Sequence, residues 1–241
     1  MPDSVYRRLA QRLDAIPDGF PSTESGVELD LLAKIFDPEE AALATHMNQR
    51  AEPAAEIGAR AGIEPGVAYR TLKTMTRKGQ IWANRRDRNL VFGLMPFVVG
   101  IYEYQLPRID EELADLFERY FRETEGFLGR QGPPVHRVIP VEEAVPAGVE
   151  IMPYERASEL LNQAKAWGVR DCICRVQQKL LGKGCDRPLE NCLTFVDVEG
   201  AFDGSNVGRA ISREEAMQIL DQAEDAGLVH SPGNYQDGNS Y

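Results

Sequence analysis

Four cysteines fall within 21 residues of this 241-residue chain, which contains no other cysteine. They are Cys172, Cys174, Cys185 and Cys192, in the stretch DCICRVQQKLLGKGCDRPLENC with the spacing C-x-C-x10-C-x6-C. This spacing differs from the paired C-x2-C knuckles of common zinc ribbons and from the C-x2-C-x2-C-x3-C run of bacterial ferredoxins. A fold that keeps these four residues together must bring two nearly adjacent thiols to two others delivered by a loop.

Three interpretations of the quartet compete. Free cysteines are often buried as small hydrophobic residues, but such residues would be scattered along the chain. Disulfides need an oxidising compartment, and the N-terminal stretch MPDSVYRRLAQRLDAIP lacks the apolar segment of a signal peptide. A metal centre fits best, because four soft sulfur ligands select zinc or an iron–sulfur cluster over hard cations. We favour an iron–sulfur cluster, with zinc as the alternative.

The chemistry expected of such a centre is electron transfer or structural support, because four cysteine ligands leave no open coordination position for a substrate. The sequence contains no G-x-S-x-G, P-loop, H-E-x-x-H or G-x-G-x-x-G motif. His46, His136 and His230 are isolated, and each is expected to be structural or exposed. An accessory protein is therefore favoured over a stand-alone enzyme.

The cysteine stretch, preceded by HRVIPVEE and followed by ISREEAM and AEDAGLVHSPGN, resembles a family of bacterial and archaeal proteins described as 4Fe–4S ferredoxin-type iron–sulfur binding-domain proteins. The segments GFPSTESGVELDLLAKIF and GLMPFVVGIYE also resemble members of that family, so the resemblance covers most of the chain. It implies that the four cysteines ligate a 4Fe–4S cluster. Members typically continue past the equivalent of NYQDGNSY into a second cysteine-rich segment, which implies a redox partner protein or a ferredoxin-like domain as partner.

The distribution of charge and of apolar residues along the chain indicates whether nucleic acid or a membrane can be a partner. A net charge of −11 argues against nucleic-acid binding by the whole chain, because phosphate must be neutralised by lysine and arginine. However, the stretch from Arg50 to Leu90 holds nine basic and four acidic residues, a local excess of +5. No apolar run approaches the length of about 20 residues needed to span a bilayer. We expect a cytoplasmic protein without a membrane span.

The basic stretch has the rhythm of a winged helix-turn-helix: helix, turn at Gly62, longer helix and two strands. In DNA-binding examples the second helix enters the major groove and the hairpin wing contacts the backbone. Winged helices also serve as docking modules, and we favour that role here over DNA binding. The predicted core residues of this winged-helix-like stretch are Ala55, Ile57, Ala61, Val67, Leu72 and Met75. The candidate nucleic-acid contacts are Arg70, Lys73, Arg77 and Lys78 on the helix and Arg85, Arg86 and Arg88 on the wing.

The remaining N-terminal pattern is helical. Ser4 is predicted to cap a first helix with buried Val5, Leu9, Leu13 and Ile16, a second helix spans 27–36, and Asp37 caps a third. An acidic amphipathic helix is predicted over 109–127, and its expected buried residues are Leu113, Leu116, Phe117, Tyr120 and Phe121.

The linker GRQGPP at 129–134 marks the predicted domain boundary. The sequence thus predicts an α+β protein with a mostly helical, winged-helix-like domain over 1–130, an α+β iron–sulfur-binding domain over 135–230 and a mobile tail over 231–241. For the second domain we expect strands at 136–141, 150–153, 193–198 and 228–230, a helix over 154–167 ended by Gly168, and a helix capped by Ser212 that ends near Ala226.

Three functions follow from this pattern. We favour an iron–sulfur electron-transfer or redox accessory protein. The first alternative is a redox- or metal-responsive winged-helix transcription regulator, and the second is a structural zinc-binding interaction protein.

Overall fold

The structure, a computed structural model, describes residues 2–16, 19–86, 89–125, 157–204, 208–230, 235–236 and 239–240. The chain divides into two compact units, Met1–Val135 together with Tyr235–Tyr241, and His136–Asn234. Both combine helices with small antiparallel sheets, so the predicted α+β class is confirmed. The predicted linker at 129–134 lies outside the described residues. No described helix is long and apolar enough to cross a membrane.

The first unit is mostly helical. Its three-stranded antiparallel sheet has the order β1-β3-β2, and β2 pairs with β3 along their whole length. A turn over Phe97–Ile101 and a 3-10 helix over Glu103–Arg108 connect the sheet to the last helix. The elements are α1 (Pro2–Asp14), α2 (Val27–Ile35), α3 (Pro38–Ala44), β1 (Glu52–Pro53), α4 (Ala54–Ala61), α5 (Pro65–Arg77), β2 (Ile81–Arg86), β3 (Asn89–Leu94) and α6 (Glu111–Glu123).

The order of α4, the turn at Gly62, α5 and the β2–β3 hairpin is the order of elements predicted from the sequence. Gly58 allows α4 to approach α5, because a Cβ atom there would lie 2.9 Å from the carbonyl oxygen of Ile63 and 3.0 Å from the Cβ of Ala68. Pro65 occupies the start of α5, and the Glu64 carboxylate accepts hydrogen bonds from the backbone N–H groups of the first turn. These local contacts position α5 along the surface of the unit.

Several predicted details are wrong. The first helix begins at Pro2, before Ser4, so Ser4 is not its cap. Ala55 and Val67 are exposed, and the core is instead formed by their neighbours Ala54 and Ala68. Phe121 is 39% exposed on α6, whereas the other four predicted apolar residues of that helix are buried.

Stacked aromatic rings form the centre of the first unit's core. The rings of Tyr102 and Phe117 are stacked with centroids 3.7 Å apart, and Phe20 contacts Phe97 and Tyr120 at 4.5 and 4.9 Å. Burying side chains of this size contributes a large part of the hydrophobic stabilisation of a small domain. The apolar stretch after β3 is therefore part of the core.

A buried carboxylate links three segments of the first unit. Glu40 is 5% exposed and accepts hydrogen bonds from the Asp37 backbone N–H, from Gln80 Nε2 at 2.8 Å and from Lys78 Nζ at 2.7 Å. Lys78 also contacts Asp37 at 2.8 Å, and Gln80 donates to the carbonyl of Ile35. Burial acts to lower the pKa of Lys78, but the hydrogen bonds and charges of its two acidic partners raise it above its usual value. The carboxylate is satisfied only while Lys78 and Gln80 remain in place.

We predict that Lys78→Met lowers the free energy of unfolding by about 2 kcal/mol, because it leaves a buried carboxylate without its cationic partner. Urea unfolding followed by circular dichroism measures this loss. The control is Lys73→Met on the exposed face of α5, which we expect to change the stability by no more than about 0.5 kcal/mol. Equal effects of the two substitutions would contradict the importance of the Glu40 network.

The second unit packs two helices against a three-stranded antiparallel sheet of order β5-β4-β6. Its core contains Leu161, Ala216 and Leu220, and Trp167 and Phe195 pack against them. Its elements are α7 (Ala157–Gln163), β4 (Ala166–Asp171), α8 (Ile173–Leu180), β5 (Glu190–Val196), β6 (Arg209–Ile211) and α9 (Arg213–Asp225). The predicted mobile tail, which is grouped with the first unit, contains two short paired strands among its described residues. They are β7 (Tyr235–Gln236) and β8 (Asn239–Ser240).

The second unit also corrects the sequence prediction. The helix expected over 154–167 ends at Gln163, and Trp167 and Gly168 belong to β4. Gly168 faces the ring of Phe202, which a Cβ atom would approach to 2.7 Å. The Ser212 cap is confirmed, since its side chain accepts the Glu215 N–H. In the predicted strand 228–230 only His230 takes part in a bridge, and the strands expected at 136–141 and 150–153 lie outside the described residues.

Candidate metal centre

The four cysteines lie on three consecutive segments of the second unit. Cys172 follows β4 and is the N-terminal cap residue of α8, and Cys174 lies in the first turn of that helix. Cys185 lies in the connection between α8 and β5, and Cys192 lies on β5 itself. All four are free thiols.

The pairing of β4 with β5 places two of these cysteines near each other. Arg170 lies opposite Cys192, and a register irregularity then places Asp171 opposite Glu190. The N–H of Cys172 donates to the carbonyl of Leu189 at 2.9 Å, which extends the ladder by one more hydrogen bond. Cys172 and Cys192 consequently line the same cavity.

Helix α8 supplies the electrostatic environment of Cys172. Its buried residues Ile173 and Gln177 anchor one face of the helix. The pKa of the Cys172 thiol is lowered from 9.0 to about 6, chiefly by a hydrogen bond with the Cys174 thiol. Burial opposes this change, and backbone N–H groups of Cys174 and Arg175 and the Arg175 charge add to it. Such a thiol is mostly thiolate at neutral pH, the form that binds metals.

Cys185 differs from the other cysteines in its surroundings. It is exposed, and the Nη1 atom of Arg175 lies 3.9 Å from its sulfur. The preceding Gly182 has a positive φ of 69°, which ends α8 with a turn that favours glycine. Cys185 thus lies on a short glycine-containing loop rather than on the sheet or the helix.

The structure brings the cysteines into partial contact only. Cys172 contacts Cys174 through a hydrogen bond and shares a cavity with Cys192. Within the described part of the chain, which includes all four cysteines, no three or more histidine, cysteine or carboxylate side chains are arranged to hold a metal ion. The four cysteines therefore do not form a coordination sphere in this arrangement.

The shared cavity has a volume of about 350 Å³ and is mostly apolar. Its apolar wall includes Leu161, Phe195 and Leu220. Cavities of this size with few polar groups are typical of ligand and cofactor sites.

His230 lines this cavity and was not predicted as a site residue. Its side chain is 10% exposed, and neither ring nitrogen has a hydrogen-bond partner among the residues that the structure describes. The nearest carboxylate oxygen, Oε1 of Glu224, is 3.7 Å from Nδ1, too far for a hydrogen bond. A buried imidazole without partners is costly, so its nitrogens are available to a group bound in the cavity. No motif or spacing in the sequence marks this residue.

The candidate nucleic-acid contacts are distributed unevenly. Arg70, Lys73 and Arg77 are exposed on α5, and the Lys73 ammonium lies 5.7 Å from the ring centroid of the exposed Tyr69. Lys78 is engaged by two acidic residues inside the first unit, as described above. Arg85 and Arg86 are exposed on β2, and Arg88 lies outside the described residues.

The acidity of Cys172 predicts a reactivity profile for metal-free protein. We expect its alkylation by iodoacetamide to rise with pH around a midpoint of about 6, because only the thiolate reacts. In Cys174→Ser the thiol donor is replaced by a hydroxyl donor, so the profile should persist. In Cys174→Ala the donor is lost, and the midpoint should rise toward the usual range of a thiol.

Mass spectrometry of peptides quenched at short times measures these profiles. The exposed Cys185 of the same chain is the internal control. A Cys172 midpoint unchanged by Cys174→Ala would contradict the role of the thiol hydrogen bond.

No family model, no curated protein and no solved structure matches this chain.

Proposed function

We propose that the second unit binds an iron–sulfur cluster through Cys172, Cys174, Cys185 and Cys192 and that the protein serves electron transfer or a related redox function. The observation that carries the proposal is the placement of Cys172, directly after β4, and Cys192, on the adjoining β5, at one cavity that His230 also lines. Thiolate sulfur is the donor that iron–sulfur clusters require in proteins.

The donor set fits such a group. Cys172 is a thiolate near neutral pH, and Cys174 already contacts it. Cys174 and Cys185 are both exposed, so a rearrangement of their side chains that completed the ligand set would disturb little buried packing. The orphaned nitrogens of His230 supply polar contacts to a bound group that the protein itself leaves unused.

When bound, the cluster would supply one-electron transfer. The residues around the cysteines would contribute charge, hydrogen-bond donors and an apolar wall. The Arg175 charge and the N–H groups at the start of α8 stabilise the negative thiolates, since cations and donors near sulfur favour the ligated form. The apolar wall of the cavity limits the access of water, and burial of that kind shifts the reduction potential of a cluster.

The partner and compartment follow from this chemistry. A filled four-cysteine site exchanges electrons rather than binding substrate, so the partner would be a redox protein or a ferredoxin-like domain. Four free thiols suit the reducing cytoplasm, where we place the protein. Structural zinc is the alternative occupant of the same thiols, and it would make the second unit an interaction module.

We expect anaerobically purified protein to contain about four irons and four acid-labile sulfides per chain. Each of the substitutions Cys172→Ser, Cys174→Ser and Cys192→Ser should remove most of the iron and the broad absorbance near about 400 nm, since each deletes a thiolate ligand. Iron, zinc and sulfide analysis measures the outcome. The matched control is Thr194→Ser on β5, which should keep the full iron content.

His230→Leu should weaken metal retention by about tenfold, less than loss of a ligand, because groups around the ligands typically contribute that much. The decay of absorbance during challenge with a chelator reports this change. Protein that contains about one zinc and no sulfide would exclude the cluster and support the structural alternative.

A second function is favoured by the surface of the first unit. Arg70, Lys73 and Arg77 are exposed along α5, the helix that enters the major groove in DNA-binding winged helices. We propose that the first unit binds nucleic acid and that the protein acts as a redox- or metal-responsive regulator if the two activities are coupled. The net charge of −11 means that binding would be confined to this surface.

Binding of a DNA duplex at low salt should weaken by at least tenfold in Arg70→Ala/Lys73→Ala, because two phosphate contacts are lost. Fluorescence anisotropy with a labelled duplex measures the affinity. Arg119→Ala/Arg122→Ala on α6 is the charge-matched control and should bind as the wild type does. Equal affinities of both variants would remove α5 as a DNA-contacting helix.

A further inference from the structure

A small hollow lies beside the wing hairpin of the first unit. Its volume is about 220 Å³, and its lining includes Arg50, Trp82, Asn84, Arg85 and Arg86. It is smaller than the 300–1,000 Å³ typical of pockets for drug-sized ligands, so it suits one planar group rather than a whole metabolite. Nothing in the sequence pattern marks Arg50 or Trp82 as site residues.

The indole of Trp82 forms the floor of this hollow. Trp82 lies opposite Gly93 in the β2–β3 pairing. A Cβ atom at Gly93 would lie 2.5 Å from the indole Nε1 and 2.6 Å from Cε2, so the ring lies over the position where β3 has no side chain. Trp82 remains partly exposed in this position, since β2 is an edge strand of the sheet. A flat, partly exposed indole held in one position is a stacking platform.

The arginines around the indole are not used by the fold. Arg50, Arg85 and Arg86 are exposed, and their guanidinium groups make no ion pair or hydrogen bond with any described residue. By contrast, the nearby Arg60 binds Glu52 and the carbonyl of His46. These three guanidinium groups at one hollow of a chain with net charge −11 form a local site for anions, and guanidinium matches phosphate geometry well.

We propose that this hollow binds single-stranded nucleic acid, with one base stacked on Trp82 and the adjoining phosphates bound by Arg85, Arg86 and Arg50. The inference rests on the nucleic-acid-binding function proposed for the first unit and assigns a strand type and a site to it. A base within a duplex presents only its edges in the grooves, whereas an unpaired base presents the face that an indole stacks on. An aromatic platform beside cations is the combination that binds single strands without strong sequence preference.

Tryptophan fluorescence tests the stacking directly. The chain has two tryptophans, so Trp167→Phe leaves Trp82 as the only one. We expect an oligothymidylate of about 12 nucleotides to quench Trp82 emission on binding, since stacked bases quench indoles. Anisotropy of a labelled oligothymidylate then measures affinity in otherwise wild-type protein. Trp82→Leu should weaken it about tenfold through loss of stacking.

The arginine variant keeps the test independent of changes in folding. Arg85→Ala/Arg86→Ala alters only exposed side chains. It should weaken oligothymidylate binding by at least tenfold and lower the slope of log affinity against log salt by about 0.7 for each lost phosphate contact. The control is again Arg119→Ala/Arg122→Ala, which removes two exposed arginines of α6 and should leave both quantities unchanged.

The outcomes separate this proposal from the one on which it rests. Duplex binding that depends on α5, with no quenching of Trp82, overturns the single-strand site and leaves the nucleic-acid function standing. Absence of binding to both duplex and oligothymidylate overturns both. Poly-glutamate offers negative charge without bases. If it displaced the labelled oligothymidylate as well as unlabelled oligothymidylate does, the hollow would be an acidic-peptide surface and the proposal would be overturned.

Discussion

The antiparallel pairing of β4 with β5 is the constraint on which the cysteine site depends. It places Cys192 opposite Arg170, and the register irregularity after Arg170 turns the chain from β4 into α8 at Cys172. The unusual spacing of the cysteine motif follows from this arrangement. The ten residues between Cys174 and Cys185 contain most of α8 and its terminal turn, and the next six return the chain to β5. The sheet thus determines the relation between two of the thiols, whereas a loop carries Cys185.

Buried polar groups have opposite roles in the two units. Glu40 is a buried charge in the first unit, and three donors on other residues satisfy it, so it links the segments that carry them. His230 is a buried ring in the second unit, and the protein satisfies neither of its nitrogens. A satisfied network stabilises one arrangement of the chain, while an orphaned group raises its energy until something binds. The first pattern is typical of a scaffold and the second of a binding site.

Local signals in the sequence were sufficient for much of the first unit. Asp37 followed by Pro38, and Gly62 after α4, act through neighbouring backbone, so their effect can be predicted without the fold. Helical spacing favours Ala68 over Val67 as a core residue, because Ala68, Leu72 and Met75 stand at i, i+4 and i+7 and share one face of α5. The sequence predicts Trp167 in a helix and Gly168 at its end, whereas both lie in β4, because the contact of Gly168 with Phe202 is tertiary. The cysteines were found from their density, but the cavity that joins two of them to His230 depends on long-range packing.

The acidity of Cys172 determines how the site responds to damage. In the presence of peroxide the Cys172 thiolate is the sulfur that reacts first, and its product is a sulfenic acid. The Cys174 thiol that hydrogen-bonds to it can then condense with the sulfenic acid, with release of water and formation of a disulfide. A disulfide is reduced by ordinary cellular thiols, whereas further oxidation to the sulfonic acid is permanent. The hydrogen bond that makes Cys172 acidic therefore also protects its sulfur from irreversible oxidation.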